Sequence, residues 1–242
     1  MVELLTLDLG NSALKLRLWR QGGIQAGQQI PHNGGQSLPP QPQARDTLGI
    51  SVAPQQQARV DAQWPGIHWL TTEELLQLGL VSEAAGAGID RLATAFGTWL
   101  DARKPLLIAD FGTATTLDLI SQEGRFLGGW ILPGLTISAQ ALAAKTEGLF
   151  EVDLALPQGL LGKNTHTAMQ YGIILGNAMM ADRLAVKIAQ ELGSQVTCLL
   201  TGGLGRWIAP HSEAFSHWDE DLTHKALARI HRELGRSKPP CD

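Results

Sequence analysis

An α/β fold built from two similar halves is what this sequence predicts, on three observations. A unit of strand, Asp-x-Gly turn, strand, turn and strand occurs twice, about a hundred residues apart, at Val2–Ile30 and at Pro105–Leu132. The strands of these units alternate with stretches of helical periodicity, such as Ile89–Arg103 and Leu135–Lys145. Many of the 27 glycines cluster directly behind apolar runs, where a backbone turns sharply or approaches a ligand. The repeat places one half at 1–104 and the other at 105–242.

The elements follow in order. Val2–Leu9 reads as a buried strand, Gly10–Ser12 as a turn, and Ala13–Trp19 alternates as the second arm of a hairpin. Ile24–Ile30 makes a weaker third strand, and Pro31–Arg45, rich in Pro, Gln and Gly, a surface loop. Thr47–Val52 is an apolar strand, Gln55–Gln63 a short polar helix and Ile67–Leu70 another strand. A short helix capped at Thr72 comes next, then a flexible Gly86–Gly88 loop and the helix from Ile89, with Leu92, Ala95, Phe96, Trp99 and Leu100 on its apolar positions.

The second unit opens with Pro105–Ala109 and continues through Thr115–Ile120 and Arg125–Leu132 to a helix over Leu135–Lys145. Asn164 caps a long helix reaching about Leu192, apolar on more than one face and so expected to be buried on several sides. Gln195–Leu200 is a strand stopped by Thr201-Gly202-Gly203, Leu222–Leu234 an amphipathic helix, and Ser237–Asp242 a frayed end.

Composition narrows the function classes. The chain has 242 residues, 44% hydrophobic and 17% charged, in the ordinary range of a globular protein. A net charge of -4 with scattered Lys and Arg gives no basic footprint for nucleic acid. Cys198 and Cys241 make neither a disulfide framework nor a zinc motif, and the seven histidines show no metal spacing. Residues 1–9 are too short for a signal-peptide core and carry Glu3 and Asp8, and no apolar run approaches a membrane span. A reducing, cytoplasmic setting is the expectation.

Two turns carry the chemistry. In Asp8-Leu9-Gly10-Asn11-Ser12 the glycine lets the backbone approach a phosphate, main-chain N–H groups and the Asn and Ser side chains can donate to it, and Asp8 can hold magnesium. Lys15, three residues on, can reach a phosphate. The same residues also fit a plain hairpin turn. Asp110-Phe111-Gly112-Thr113-Ala114 repeats the logic, and two such turns on duplicated units are expected to face each other across a nucleotide cleft. Gly88-Ile89-Asp90-Arg91 fits simple helix capping, with Asp90 favoured at the positive helix end, and equally a general base beside a carboxylate clamp.

In order along the chain, D8-L-G-N-S-x-x-K15, S51-V-A-P54, G88-I-D-R91, D110-F-G-T-A-T-T116, G128-G-W-I-L-P-G134, N164-T165 with Gly172, and T201-G-G203 resemble the type III pantothenate kinases. The resemblance covers most of the chain. It implies an actin-like ATPase fold of two ribonuclease-H-like halves, ATP as phosphoryl donor, pantothenate as acceptor, magnesium, a monovalent cation (potassium or ammonium) and a homodimer. Carried over by position, it places Asp8, Leu9, Gly10, Asn11, Ser12, Ala13, Leu14 and Lys15 on the ATP phosphates, with Thr113 as a further ATP contact. Asp110 becomes the ligand of the monovalent cation. Gly88, Ile89, Asp90, Arg91 and Thr165 form the pantothenate site, with Asp90 accepting the proton. The sequence departs from the family at Val81, nine positions before Asp90, where a tyrosine is usual, and Ser12 stands for the usual threonine. A kinase of a sugar or short-chain acid, and a non-catalytic regulatory relative, are the alternative readings.

Overall fold

The computed structural model describes residues 3–32 and 37–237. Positions 33–36 of the expected surface loop lie outside them, as does the expected frayed end with Cys241, apart from Ser237, the last residue of a helix. The strands are β1 Leu4–Leu9, β2 Ala13–Arg20, β3 Gly23–Pro31, β4 Asp46–Ser51, β5 His68–Trp69, β6 Val81–Ser82, β7 Leu106–Phe111, β8 Ala114–Ile120, β9 Arg125–Pro133 and β10 Thr197–Thr201. The helices are α1 Pro54–Asp61, α2 Thr72–Gln77, α3 Ile89–Ala102, α4 Leu135–Lys145, α5 Thr165–Leu192, α6 Gly205–Ile208 and α7 Leu222–Ser237.

Two compact units emerge. One runs to Arg103 and takes in Gly124–Phe126 and the residues from Asp221 on; the other holds Lys104–Glu123 and Leu127–Glu220. The boundary read from the sequence, between 104 and 105, falls beside the first change of unit. The C-terminal helix departs from the halves 1–104 and 105–242, because its buried face belongs to the first unit.

In the first unit the strand order is β3-β2-β1-β4-β5, with β1–β3 an antiparallel meander and β4 and β5 added in parallel. Alternation along β1 sends Leu5, Leu7 and Leu9 into a core shared with Leu14, Leu16, Val60 and Trp64. The opposite face carries Thr6 and Asp8, registered against Arg17 and Lys15 of β2. That face is covered by polar partners from α7 and from Asp221 just before it. Arg17 Nε donates to Asp221 Oδ1 at 2.5 Å, and Thr6 Oγ1 lies 2.9 Å from His224 Nδ1. Trp19 Nε1 donates to the same Thr6 oxygen at 2.9 Å. Helices α3 and α7 cross at Gly97, where a methyl group would stand 2.5 Å from the Ala226 carbonyl oxygen.

One helix start differs from the sequence reading. The cap of α2 is Thr71, not Thr72: its hydroxyl accepts from Glu74 N–H, and the Glu74 carboxylate accepts from Thr71 N–H in a reciprocal capping box.

In the second unit β10-β7-β8-β9 repeats the order of β4-β1-β2-β3, with β10 parallel and β8 antiparallel to β7. Leu107, Ala109, Phe111 and Leu117 pack with Ile173, Ala178, Ala181 and Ile188 of α5. Asn164 caps α5 as expected, its Oδ1 accepting from Thr167 N–H at 2.9 Å. The all-round burial expected of α5 is only partial, since Met179 and Val186 remain about half exposed. Among the described residues no helix is long and apolar enough to cross a membrane.

Candidate active site

The first turn is tight because Gly10 N–H donates to Ala13 O at 3.1 Å, closing β1 onto β2. Asn11 and Ser12 stand exposed at its tip. Leu9, Ala13 and Leu14 bury their side chains in the core, so only their main chain is available to a ligand. His32 braces the turn from just beyond β3, with Nε2 2.9 Å from Gly10 O and its main-chain N–H donating to Ser12 O at 3.0 Å. The sequence reading missed this residue, because its partner lies 22 positions away.

Asp8 sits at the penultimate position of β1, with Oδ2 3.9 Å from Lys15 Nζ. Burial pushes its carboxyl above the usual range; Lys15 pulls it down and the neighbouring Asp90 carboxylate pushes it up again. The structure therefore brings Asp8, Lys15 and Asp90 together within the first unit. Gly88 is the N-cap of α3, followed by Ile89, Asp90 and Arg91 in its first turn. Asp90 Oδ1 accepts from Arg91 N–H at 2.9 Å, so capping and a chemical role coexist in one carboxylate. The guanidinium of Arg91 lies over the ring of Phe126, a residue the sequence reading did not single out.

In the second unit Asp110 is the penultimate residue of β7, in register with Thr116 of β8 and Thr201 of β10. The turn closes through Gly112 N–H donating to Ala114 O at 3.0 Å, and Thr113 is exposed on it. Gly202, with φ of +87°, presses its Cα against this turn; a methyl group there would stand 2.3 Å from Asp110 Oδ1. This explains Thr201-Gly202-Gly203: the glycine seats the acid. Thr165 is the first residue of α5 and lines an open groove with Ser138, Asn164, Met169, Gly172 and Asn177. Val81 lies on β6 and is half exposed.

The donor set suits cations. A largely but not fully buried carboxylate held above its usual range, with a second carboxylate adding repulsion, is the setting that a bound divalent ion relieves. Among the described residues there is no group of three His, Cys, Asp or Glu side chains that forms a ready-made cage. A magnesium ion held by one or two carboxylates plus phosphate oxygens and water fits such a sparse set. Cys198 takes no part, since burial, aided by Asp182, raises its thiol to about 11.

Comparison with known proteins adds the following. The family model of type III pantothenate kinase matches residues 4–187. The type III pantothenate kinase of Thermomicrobium roseum is 38% identical over 159 residues, 64% of this chain and 61% of that protein. That of Mycobacterium avium is 32% identical over 187 residues, 74% of this chain and 69% of that protein. The chain spans about three fifths of the length of most of these relatives. Among solved structures, a conserved Baf family protein from Campylobacter jejuni is 19% identical with a TM-score of 0.64, covering 96% of this chain and 99% of its own. The activator of 2-hydroxyisocaproyl-CoA dehydratase from Clostridium difficile, solved with bound ADPNP, is 12% identical with a TM-score of 0.51 over 100% of both chains. These likenesses show the actin-like ATPase fold, in agreement with the duplicated β-meander.

Proposed function

Because the chain belongs to the type III pantothenate kinase family, we propose that it transfers the γ-phosphoryl group of ATP to the primary hydroxyl of pantothenate. The product is 4′-phosphopantothenate, the first step of coenzyme A biosynthesis, made in the cytoplasm. The observation that carries the proposal is the family match together with Asp90 and Arg91 at the start of α3, beside Asp8 and Lys15.

Each residue then has a part. The exposed tip of the first turn, Gly10–Ser12, offers main-chain N–H groups and a hydroxyl to phosphate oxygens, and Lys15 supplies positive charge. The main chain of Leu9, Ala13 and Leu14 holds this turn in shape. Asp90 accepts the hydroxyl proton of pantothenate as the oxygen attacks phosphorus in line with the leaving ADP oxygen. Arg91 binds the pantothenate carboxylate through its N–H edge, while Gly88, Ile89 and Thr165 complete the acceptor site. Thr113 makes a further ATP contact. Asp8 would hold magnesium and Asp110 the potassium or ammonium ion; such cations neutralise charge on the transferring phosphoryl group. A homodimer belongs to the same proposal and is supported by the apolar side chains of Ile131, Met179 and Val186 left exposed in the second unit.

Coupled ADP release with ATP and magnesium tests the reading, with pantothenate set against a panel of sugars and short-chain hydroxy acids. Turnover on pantothenate that rises with added potassium and is lost in Asp90→Asn is the expected result. Turnover on another acceptor transfers the reading to a different kinase, and silence on every acceptor favours a regulatory relative. Wild-type turnover in a folded Asp90→Asn protein removes the base from Asp90.

A further inference from the structure

The guanidinium carbon of Arg91 lies 5.8 Å from the centroid of the Phe126 ring, inside the roughly 6 Å reach of a cation–π contact. Phe126 is fully buried, so the ring is a fixed surface and not a mobile neighbour. Its main chain is tied down as well. Ser82 and Phe126 pair in the parallel β6–β9 ladder, and Phe126 O accepts from Glu83 N–H at 2.9 Å. Next to it, Arg125 and Glu83 form an ion pair at 2.7 Å.

The other end of the same short segment is held by α3 too. Gly124, at φ +83°, lies flat on the Trp99 ring, where a methyl group would stand 2.7 Å from ring carbon. Trp99 is in turn stacked on Phe96 and covered by Arg103, whose guanidinium carbon is 4.2 Å from the ring centroid. Gly124–Phe126 is thus a three-residue stretch gripped along α3 within the first unit, while the residues on either side of it belong to the second. Filling space under α3 accounts for a buried aromatic. It does not account for the ring lying beneath the one cationic side chain in the first turn of that helix.

We propose that Phe126 is the positioning residue of Arg91. The ring supports the guanidinium from one side, and a guanidinium held in place binds a carboxylate through two parallel hydrogen bonds. This rests on the reading of Arg91 as the clamp for the acceptor's carboxylate. A long side chain held at its tip loses less freedom when the carboxylate arrives, so the platform acts on acceptor affinity and leaves the nucleotide side alone.

The test compares Phe126→Leu, which keeps apolar volume without a ring face, with Phe126→Tyr, which keeps the face. Phe126→Met replaces the Leu variant should that one melt early. The Leu variant raises KM for pantothenate about 3- to 10-fold, with kcat and KM for ATP within about twofold of wild type, and the Tyr variant restores it. In an Arg91→Gln background the Leu change adds nothing further. A parallel rise in both KM values, or a Tyr variant as impaired as Leu, overturns the proposal and leaves Phe126 a packing residue. Wild-type protein that does not turn over pantothenate means that the substrate reading has failed. The platform is then read directly by NMR of the Arg91 Nε–H group, whose ring-current shift disappears in Phe126→Leu and persists in Phe126→Tyr. An Arg91 signal unmoved by loss of the ring overturns the proposal irrespective of substrate.

Discussion

Lys15 Nζ stands 3.9 Å from Asp8 Oδ2, yet the Asp8 carboxyl is held above its ordinary range, because burial outweighs the ion pair and Asp90 adds repulsion. An acid with a raised folded pKa favours the fold while it is protonated, and that contribution is lost as pH rises through the folded value. Asp8→Asn therefore raises Tm at pH 7, and the gain shrinks as pH falls to where both states of the wild type bind the proton. The same change lowers kcat/KM by at least about 100-fold. Thermal melts between pH 3 and 8 beside the kinase assay measure both sides. A variant less stable than wild type at pH 7 would show that the Lys15 pair dominates.

His224 gives the opposite slope. Burial, with Arg17 and Lys15 near it, depresses this imidazole from 6.5 to about 3, so the folded protein keeps it neutral. The unfolded chain takes up the proton below about 6.5, and stability is lost progressively as pH falls from there towards 3. By pH 5 the loss from this one group is about 2 kcal/mol relative to pH 7. Urea titrations at the two pH values should show it, and His224→Leu should flatten the dependence. An unchanged slope in that variant would assign the acid sensitivity elsewhere.

Gly202→Ala meets three obstacles: a positive φ, the Asp110 carboxylate, and the Phe111 main chain at 2.5 Å. Backbone strain of this kind costs about 1–3 kcal/mol, and of the two neighbours the Asp110 side chain, proposed to hold the monovalent cation, moves more readily, while the Phe111 backbone must shift as well. Activity at low potassium falls at least about tenfold, and added potassium recovers part of it. Equal loss at every potassium concentration would mean that Asp110 has not moved.

Gly97→Ala places a methyl group 2.5 Å from the Ala226 carbonyl oxygen and forces α3 and α7 apart. The expected loss of stability is about 1–3 kcal/mol, read from urea unfolding. A neutral result would show that the crossing can open without penalty.

Much of this architecture is legible in the sequence, because its signals are local. The alternation of Leu5, Leu7 and Leu9 and the Asp-x-Gly turns announce both meanders, and Asn164 announces the start of α5 within one residue. What the sequence hides is allegiance over distance. The amphipathic pattern of α7 says that one face is buried but not against which strands. A polar residue such as His224 would be assigned to water until Thr6, itself held by Trp19, is seen beside it. Phe126 is likewise an ordinary strand aromatic until Arg91, 35 positions earlier, lies on it. The residues of the two turns were readable because chemistry and spacing coincide there; His32 and Gly202 support those turns from the ends of other strands and carry no local signature.

The tie between Arg17 and Asp221 joins residues 204 positions apart. On a ribosome the first unit therefore emerges early but cannot close the polar face of its own sheet. Some 120 residues of the second unit must be translated before α7 arrives, a wait of roughly 6–24 s at bacterial elongation rates. During that interval Thr6 and Arg17 face water or a chaperone. A ribosome that stalls before residue 221 therefore releases a first unit without the cover that Asp221 and His224 give its sheet.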